Sequence, residues 1–152
     1  SPILSHKLFI NLGPEPLDKD FNIEYLFSKT RNRNIAIKSL LMNSNIVVGI
    51  GNIYASESLF LAGIRPNKIS KKLTKKNCND LIVSIKKVLK EAIKKGGSSI
   101  NDYKAPDGVL GSFQNFFKVY QKETIKIKNK TYLVKKITQN GRSTFYCPAL
   151  QI

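Results

Sequence analysis

The hydrophobic period of this chain changes once, and that change sets its architecture. Up to about residue 95 the apolar residues recur at helical spacing, and from 124 onward they alternate as in strands. The longest helical run extends from about Thr74 to Lys95, with Leu81, Ile82, Ile85, Val88, Leu89 and Ala92 on one face. Lys86, Lys87, Lys90, Lys94 and Lys95 crowd the rest of that helix, and Gly96-Gly97 stops it. One element cannot serve both periods. The sequence therefore predicts a mainly α body followed by a small β-hairpin unit.

Shorter helices precede the long one. Gly13, Pro14 and Pro16 in LGPEPL at 12–17 forbid a regular element, which makes 1–17 an irregular lead-in. Asp18 is placed to cap a helix near 19–29, where Phe21, Tyr25 and Leu26 recur at helical spacing. A second helix is expected near 34–43, with Ile35, Ile37, Leu40 and Leu41 as its apolar face. The stretch NSNIVVGIGN at 43–52 reads as a double turn carrying buried aliphatics, with Gly49 and Gly51 permitting sharp bends. A third helix runs from about Asn52 to Gly63, a residue suited to a left-handed cap. Residues 98–112, with Pro106, Gly108 and Gly111, read as a mobile loop. TIKIK and TYLVKKI then read as strands, and Asn140-Gly141 joins 132–138 to 143–147 in a type I′ hairpin. The expected division is a lead-in at 1–17, a helical domain at 18–120 and a hairpin unit at 121–152.

Charge narrows the partners. Lys and Arg number 26 against 10 acidic residues, giving +16 and a pI near 9.9. A field of that sign concentrates polyanions, nucleic acid ahead of anionic membrane. An AT-rich genome also inflates Lys, Asn and Ile, so charge alone does not decide the matter. No apolar run reaches the roughly 18 residues of a membrane span, and SPILSHKLF is too short and polar for a secretory signal. Two cysteines, Cys78 and Cys147, are too few for a disulfide framework and suit a reducing cytoplasm.

Four positions carry candidate chemistry. Asn52 falls at a helix N-terminus, where free N–H groups favour an anion and a carboxamide can donate to a phosphate oxygen or cap the helix. Lys38 lies amid apolar neighbours, as a ligand-facing cation or a snorkelling surface lysine. Arg142 follows the Asn-Gly turn, where its guanidinium can fork onto phosphates, enter a minor groove or stay solvated. Tyr54 and Glu57 fall one turn apart on the third helix.

The segment IKSLLMNSNIVVGIGNIYASESLFLAGIRP at 37–66 resembles the helix-two-turns-helix motif of formamidopyrimidine-DNA glycosylases and the related endonuclease VIII enzymes. LGPEPL at 12–17, GGSS at 96–99, DGVLGSFQNFFKVY at 107–120 and GRSTFYCP at 141–148 resemble further segments of that family, in its order. The resemblance implies the DNA-binding C-terminal two-thirds of a bifunctional DNA glycosylase/AP lyase of base excision repair, acting on 8-oxoguanine and formamidopyrimidines. It implies that Asn52 and Arg142 contact phosphate beside the lesion, that Lys38 faces the lesion region, and that Tyr54 and Glu57 lie near the domain cleft. It also implies that Val109, Leu110, Gly111 and Ser112 cap a flipped base with their backbone amides. The implied partner is double-stranded DNA with an oxidised or abasic lesion, bound by a monomer in the nucleoid-associated bacterial cytoplasm, with no membrane.

The sequence departs from the family twice. The family holds zinc with four cysteines, and the matching positions here carry Ile127, Lys130, Cys147 and Leu150. One ligand cannot hold a structural zinc, so no cofactor is expected, and Ile127 and Leu150 are expected to replace the metal with an apolar contact. The family's nucleophile is an N-terminal proline followed by glutamate. Pro2 follows Ser1 and no glutamate follows it, so the catalytic domain is expected to lie elsewhere, a separate N-terminal chain being one candidate, with this chain inactive alone. The alternatives are a stand-alone or decayed DNA-binding module and, more remotely, an RNA-binding protein of ribosomal type.

Overall fold

The computed structural model describes residues 12–95 and 117–152. The expected stop at Gly96-Gly97 and the loop residues Val109, Leu110, Gly111 and Ser112 lie outside the described residues. Among those described, the order is α1 (Ile23–Thr30), α2 (Ile37–Leu41), α3 (Asn52–Ala62), a 3₁₀ turn (Ser70–Lys72) and α4 (Lys75–Lys94). Four strands follow: β1 (Thr124–Ile127), β2 (Lys130–Leu133), β3 (Lys135–Gln139) and β4 (Arg142–Tyr146). Helical body and strand unit separate as the change of period requires.

The first two helices are shorter than expected, for local reasons. Asn22, rather than Asp18, caps α1, its side-chain oxygen accepting from Tyr25 N at 3.0 Å. Asp18 spends its carboxylate on Asp20 N at 3.0 Å, closing a turn that competes with helix. The start of α2 moves to Ile37 because Ala36 bridges to Ile69 and Ile37 N donates to Lys68 O at 2.8 Å. Tertiary pairing there outweighs helix propensity. The other two helices stand as expected. Gly63 closes α3 at φ 75°, in the left-handed region, and Thr74 opens α4 with a reciprocal capping box to Asn77.

The strand unit holds two hairpins, so the single hairpin expected from sequence is a correction. β1 pairs with β2 and β3 with β4, both antiparallel. The run TYLVKKI is divided at Val134, whose N–H donates to Glu123 O at 2.9 Å. Asn140 and Gly141 take φ 52° and 76°, and Lys128 and Asn129 repeat the pattern at 49° and 66°. The second turn was hidden because Lys-Asn is a poorer type I′ pair than Asn-Gly.

The core joins all four helices through Phe21, Leu26, Ile37, Leu40, Leu59, Leu81 and Ile85. α4 packs against α3 and α1, and α3 against β4. The lead-in is clamped onto the double turn: Gly13 N donates to Ser44 O at 2.9 Å and Val48 N to Pro14 O at 3.0 Å. A Cβ at Gly13 would sit 2.1 Å from Ile46 O, so only glycine allows this approach. The clamp fixes the turn that delivers Asn52.

Candidate nucleic-acid interface

Three elements meet around one ammonium. α2 supplies Lys38, the first residue of α3 supplies Asn52, and β4 supplies Arg142, Ser143 and Thr144. Lys38 Nζ donates to Asn52 Oδ1 and to Thr144 Oγ1, each at 2.5 Å. Asn52 Nδ2 donates to Ser143 O at 2.9 Å. Gly51 is the cap residue of α3, without a side-chain hydrogen bond, so Asn52 does not cap its helix through its side chain. Asn140 Nδ2 donates to Ser39 Oγ at 2.7 Å, which ties the hairpin tip to α2.

Lys38 is only 2% exposed, so it is no snorkelling surface lysine. Its proton affinity is lowered from the ordinary 10.5 to about 8, first by burial and then by the positive charge of Arg142. No carboxylate lies within ion-pair distance of it among the described residues. Lys38, Ser39, Asn43, Asn140 and Arg142 line a cavity of about 280 Å³. A cation held by neutral oxygens beside a second cation is a site short of an anion.

The other expected residues fall elsewhere. Tyr54, 4% exposed, packs with Val88, Ala92 and Leu89 on α4 rather than in this cavity. Glu57 is also buried, and its carboxylate accepts three consecutive backbone N–H groups, from Lys118 at 2.6 Å and from Val119 and Tyr120 at 2.9 Å. Burial raises its proton affinity, against the pull of those three bonds and of the Lys118 charge. Tyr120 in turn stacks edge-on against Phe117 and Phe145. Glu57 thus anchors the chain where it passes from the helical body to the hairpins. Sequence reasoning placed Glu57 near a cleft and missed this anchor, since nothing in its spacing points to a partner sixty residues on.

The donor set at the finger positions does not fit a zinc ion. Ile127 is 42% exposed and Lys130 is exposed, and Cys147 is a free buried thiol. Among the described residues no three His, Cys, Asp or Glu groups converge. A polar knot occupies the turn after Cys147 instead. Gln151 Oε1 accepts from Cys147 N and its Nε2 donates to Ile64 O, each at 2.7 Å. Arg65 donates to Gln151 O at 2.8 Å and to Pro148 O at 2.9 Å. Neither Arg65 nor Gln151 carried a sequence signal, because a buried glutamine has no spacing signature.

With this geometry in view, comparison with known proteins is specific. The family described as Formamidopyrimidine-DNA glycosylase H2TH domain matches residues 12–104. A "Formamidopyrimidine-DNA glycosylase" of Thioalkalivibrio sulfidiphilus is 49% identical over 150 residues, covering 99% of this chain and 55% of that protein. One of Histophilus somni is 45% identical over 144 residues, covering 95% and 53%. Among solved structures, the MutM (Fpg) protein of Thermus thermophilus aligns with a TM-score of 0.80 at 34% identity, over 95% of this chain and 55% of that one. Lactococcus lactis Fpg in complex with DNA containing an abasic site aligns at 0.81 and 37% identity, over 98% and 55%. The chain spans about half the length of the curated relatives it matches, less than the two-thirds expected from sequence. Over nearly all of its length it belongs to the formamidopyrimidine-DNA glycosylase family.

Proposed function

We propose that this chain is the damaged-DNA-gripping part of a base-excision-repair DNA glycosylase/AP lyase acting on oxidised purines. The observation that carries the reading is the Lys38 site, a buried ammonium beside Arg142 without an anion of its own. A phosphate of the duplex would supply that anion, and Arg142 would grip a neighbouring one. Contacts of this kind fix position on the backbone without reading sequence. Family membership and the DNA-bound relatives support the same partner.

Asn52 and Thr144 act in this reading by holding the ammonium, and Glu57 by fixing the approach to the hairpins. Val109 to Ser112 retain the proposed lesion-capping role, which family resemblance alone supports. The nucleophile would come from residues outside this chain, on the same polypeptide or on another. The finger folds without zinc, and the protein works as a monomer in the bacterial cytoplasm. Among the described residues no helix is long and apolar enough to cross a membrane.

The test is competition between a duplex carrying a central abasic analogue and an unmodified duplex of the same sequence. Tighter binding to the first is expected. Equal affinity would leave a DNA-binding module without lesion recognition.

A further inference from the structure

The long helix α4 carries a second cationic surface unconnected with the Lys38 cavity. Its apolar face, with Leu81, Ile82, Ile85 and Val88, is buried against the other helices. The opposite face forms an open groove of about 520 Å³ lined by Val83, Lys86, Lys87, Lys90, Glu91 and Lys94. This groove shares no lining residue with the Lys38 cavity.

The charge arrangement here is unfavourable for a bare helix. Lys86 and Lys90, and Lys90 and Lys94, stand four residues apart, and Lys87 and Lys90 three apart. Like charges at these spacings destabilise a helix by roughly 0.2–0.5 kcal/mol each. Lys87, Lys90 and Lys94 make no ion pair among the described residues. Lys86, Lys90 and Lys94 recur about 6 Å apart along the axis and span about 12 Å at 1.5 Å per residue. Such a linear array of cations suits a polymer whose negative charges also repeat along a line. A lipid surface suits it less, because a helix lying on a membrane presents a broad apolar face, and that of α4 is already buried in the core.

We propose that the Lys87–Lys90–Lys94 face of α4 is a second DNA-backbone site, engaging duplex phosphates outside the cleft formed by Lys38, Asn52 and Arg142. The proposal rests on the DNA-binding reading above. It gives the protein a sequence-independent hold on DNA at a surface that plays no part in lesion contact.

The test compares two triple variants of equal charge change, Lys87→Gln/Lys90→Gln/Lys94→Gln on α4 and Lys71→Gln/Lys72→Gln/Lys76→Gln on the preceding turn. Circular dichroism melting verifies that both fold. Binding to a long duplex with a central abasic analogue is followed by fluorescence anisotropy across a salt series. The α4 triple should flatten the slope of log K against log salt by about two to three units, near 0.9 per phosphate released. The control triple should change it by less than about one. Equal changes in the two variants would reduce the effect to bulk charge and overturn the proposal. Co-flotation with phosphatidylglycerol vesicles that the α4 triple abolishes, with duplex binding intact, would overturn it in favour of lipid. If the parent chain binds no duplex, the proposed function fails as well. If the parent binds and the α4 triple binds identically, this inference alone fails.

Discussion

The Lys38 ammonium and the Asn52 carboxamide oxygen lie 2.5 Å apart, joining α2 to the first residue of α3. The same carboxamide donates to Ser143 O of β4 at 2.9 Å. Asn52 is thereby committed on both ends to protein partners. Its part in an anion site is to hold the cation and the hairpin in one arrangement, and the charge offered to a ligand is that of Lys38 and Arg142.

Asn52→Asp follows from that relationship. A carboxylate beside Lys38 supplies the missing anion internally and sets a negative charge against an incoming phosphate. It also removes the Nδ2 donor to Ser143 O. Charge-assisted bonds are worth roughly 1.5–3 kcal/mol, so duplex affinity should fall by about one to two decades in fluorescence anisotropy. Unchanged affinity would reduce the Lys38–Asn52 pair to a packing feature.

Lys38 also sets a pH dependence, and its sign differs between folding and binding. Its proton affinity is lowered from 10.5 to about 8 in the folded chain. Between those values the unfolded chain binds the proton and the folded chain releases it, so this group's contribution to stability rises with pH through that window. DNA phosphate favours the protonated form, so duplex affinity should fall as pH passes about 8. Calorimetry at that pH, in two buffers of different ionisation enthalpy, should show uptake of up to about half a proton on binding. Lys38→Met should abolish that uptake, and equal uptake in parent and variant would assign it to another group.

Glu57→Gln probes the anchor. The carboxylate accepts from three backbone N–H groups, and the amide would turn an NH2 toward one of them. A buried donor left unpaired costs about 1–3 kcal/mol, so urea unfolding should show a loss of that size. A loss within about 0.5 kcal/mol, as for an ordinary surface substitution, would mean that the three bonds carry little.

The finger predicts metal independence. Purified protein should hold no stoichiometric zinc by elemental analysis, and a chelator should leave its melting unchanged. Gln151→Leu should lower the melting temperature, because Cys147 N and Ile64 O lose their partners. One zinc per chain would contradict this account of the knot.

Much of this was legible in the sequence, unevenly. Helical period and capping chemistry delivered α3 and α4, from the phosphate-suited start at Asn52 to Gly63, and from Thr74 onward. Competing local bonds shortened α1, and pairing with Ile69 shortened α2. Neither effect has a period to read. The partners Lys38, Asn52 and Arg142 were each nameable, but not the hydrogen bonds through Ser143 and Thr144 that join them, because contacts across ninety or more residues leave no local pattern. Tyr54 looked equivalent to Asn52 on the same helix, yet its face turns to α4. Loss of three cysteine positions could be read directly, whereas the Arg65–Gln151 knot in their place could not.

The central claim is that the surface around Lys38 and Arg142 grips the DNA backbone, and Arg142→Ala tests it most directly. Arg142 sits at the start of β4, beside the turn at the hairpin tip, and lines the cavity with Lys38. Its removal leaves the core untouched. Anisotropy on an abasic-analogue duplex across a salt series should show affinity weakened by about one to two decades. The slope of log K against log salt should flatten by about one unit. Parental affinity with an unchanged slope would place the DNA elsewhere on the molecule and contradict the account.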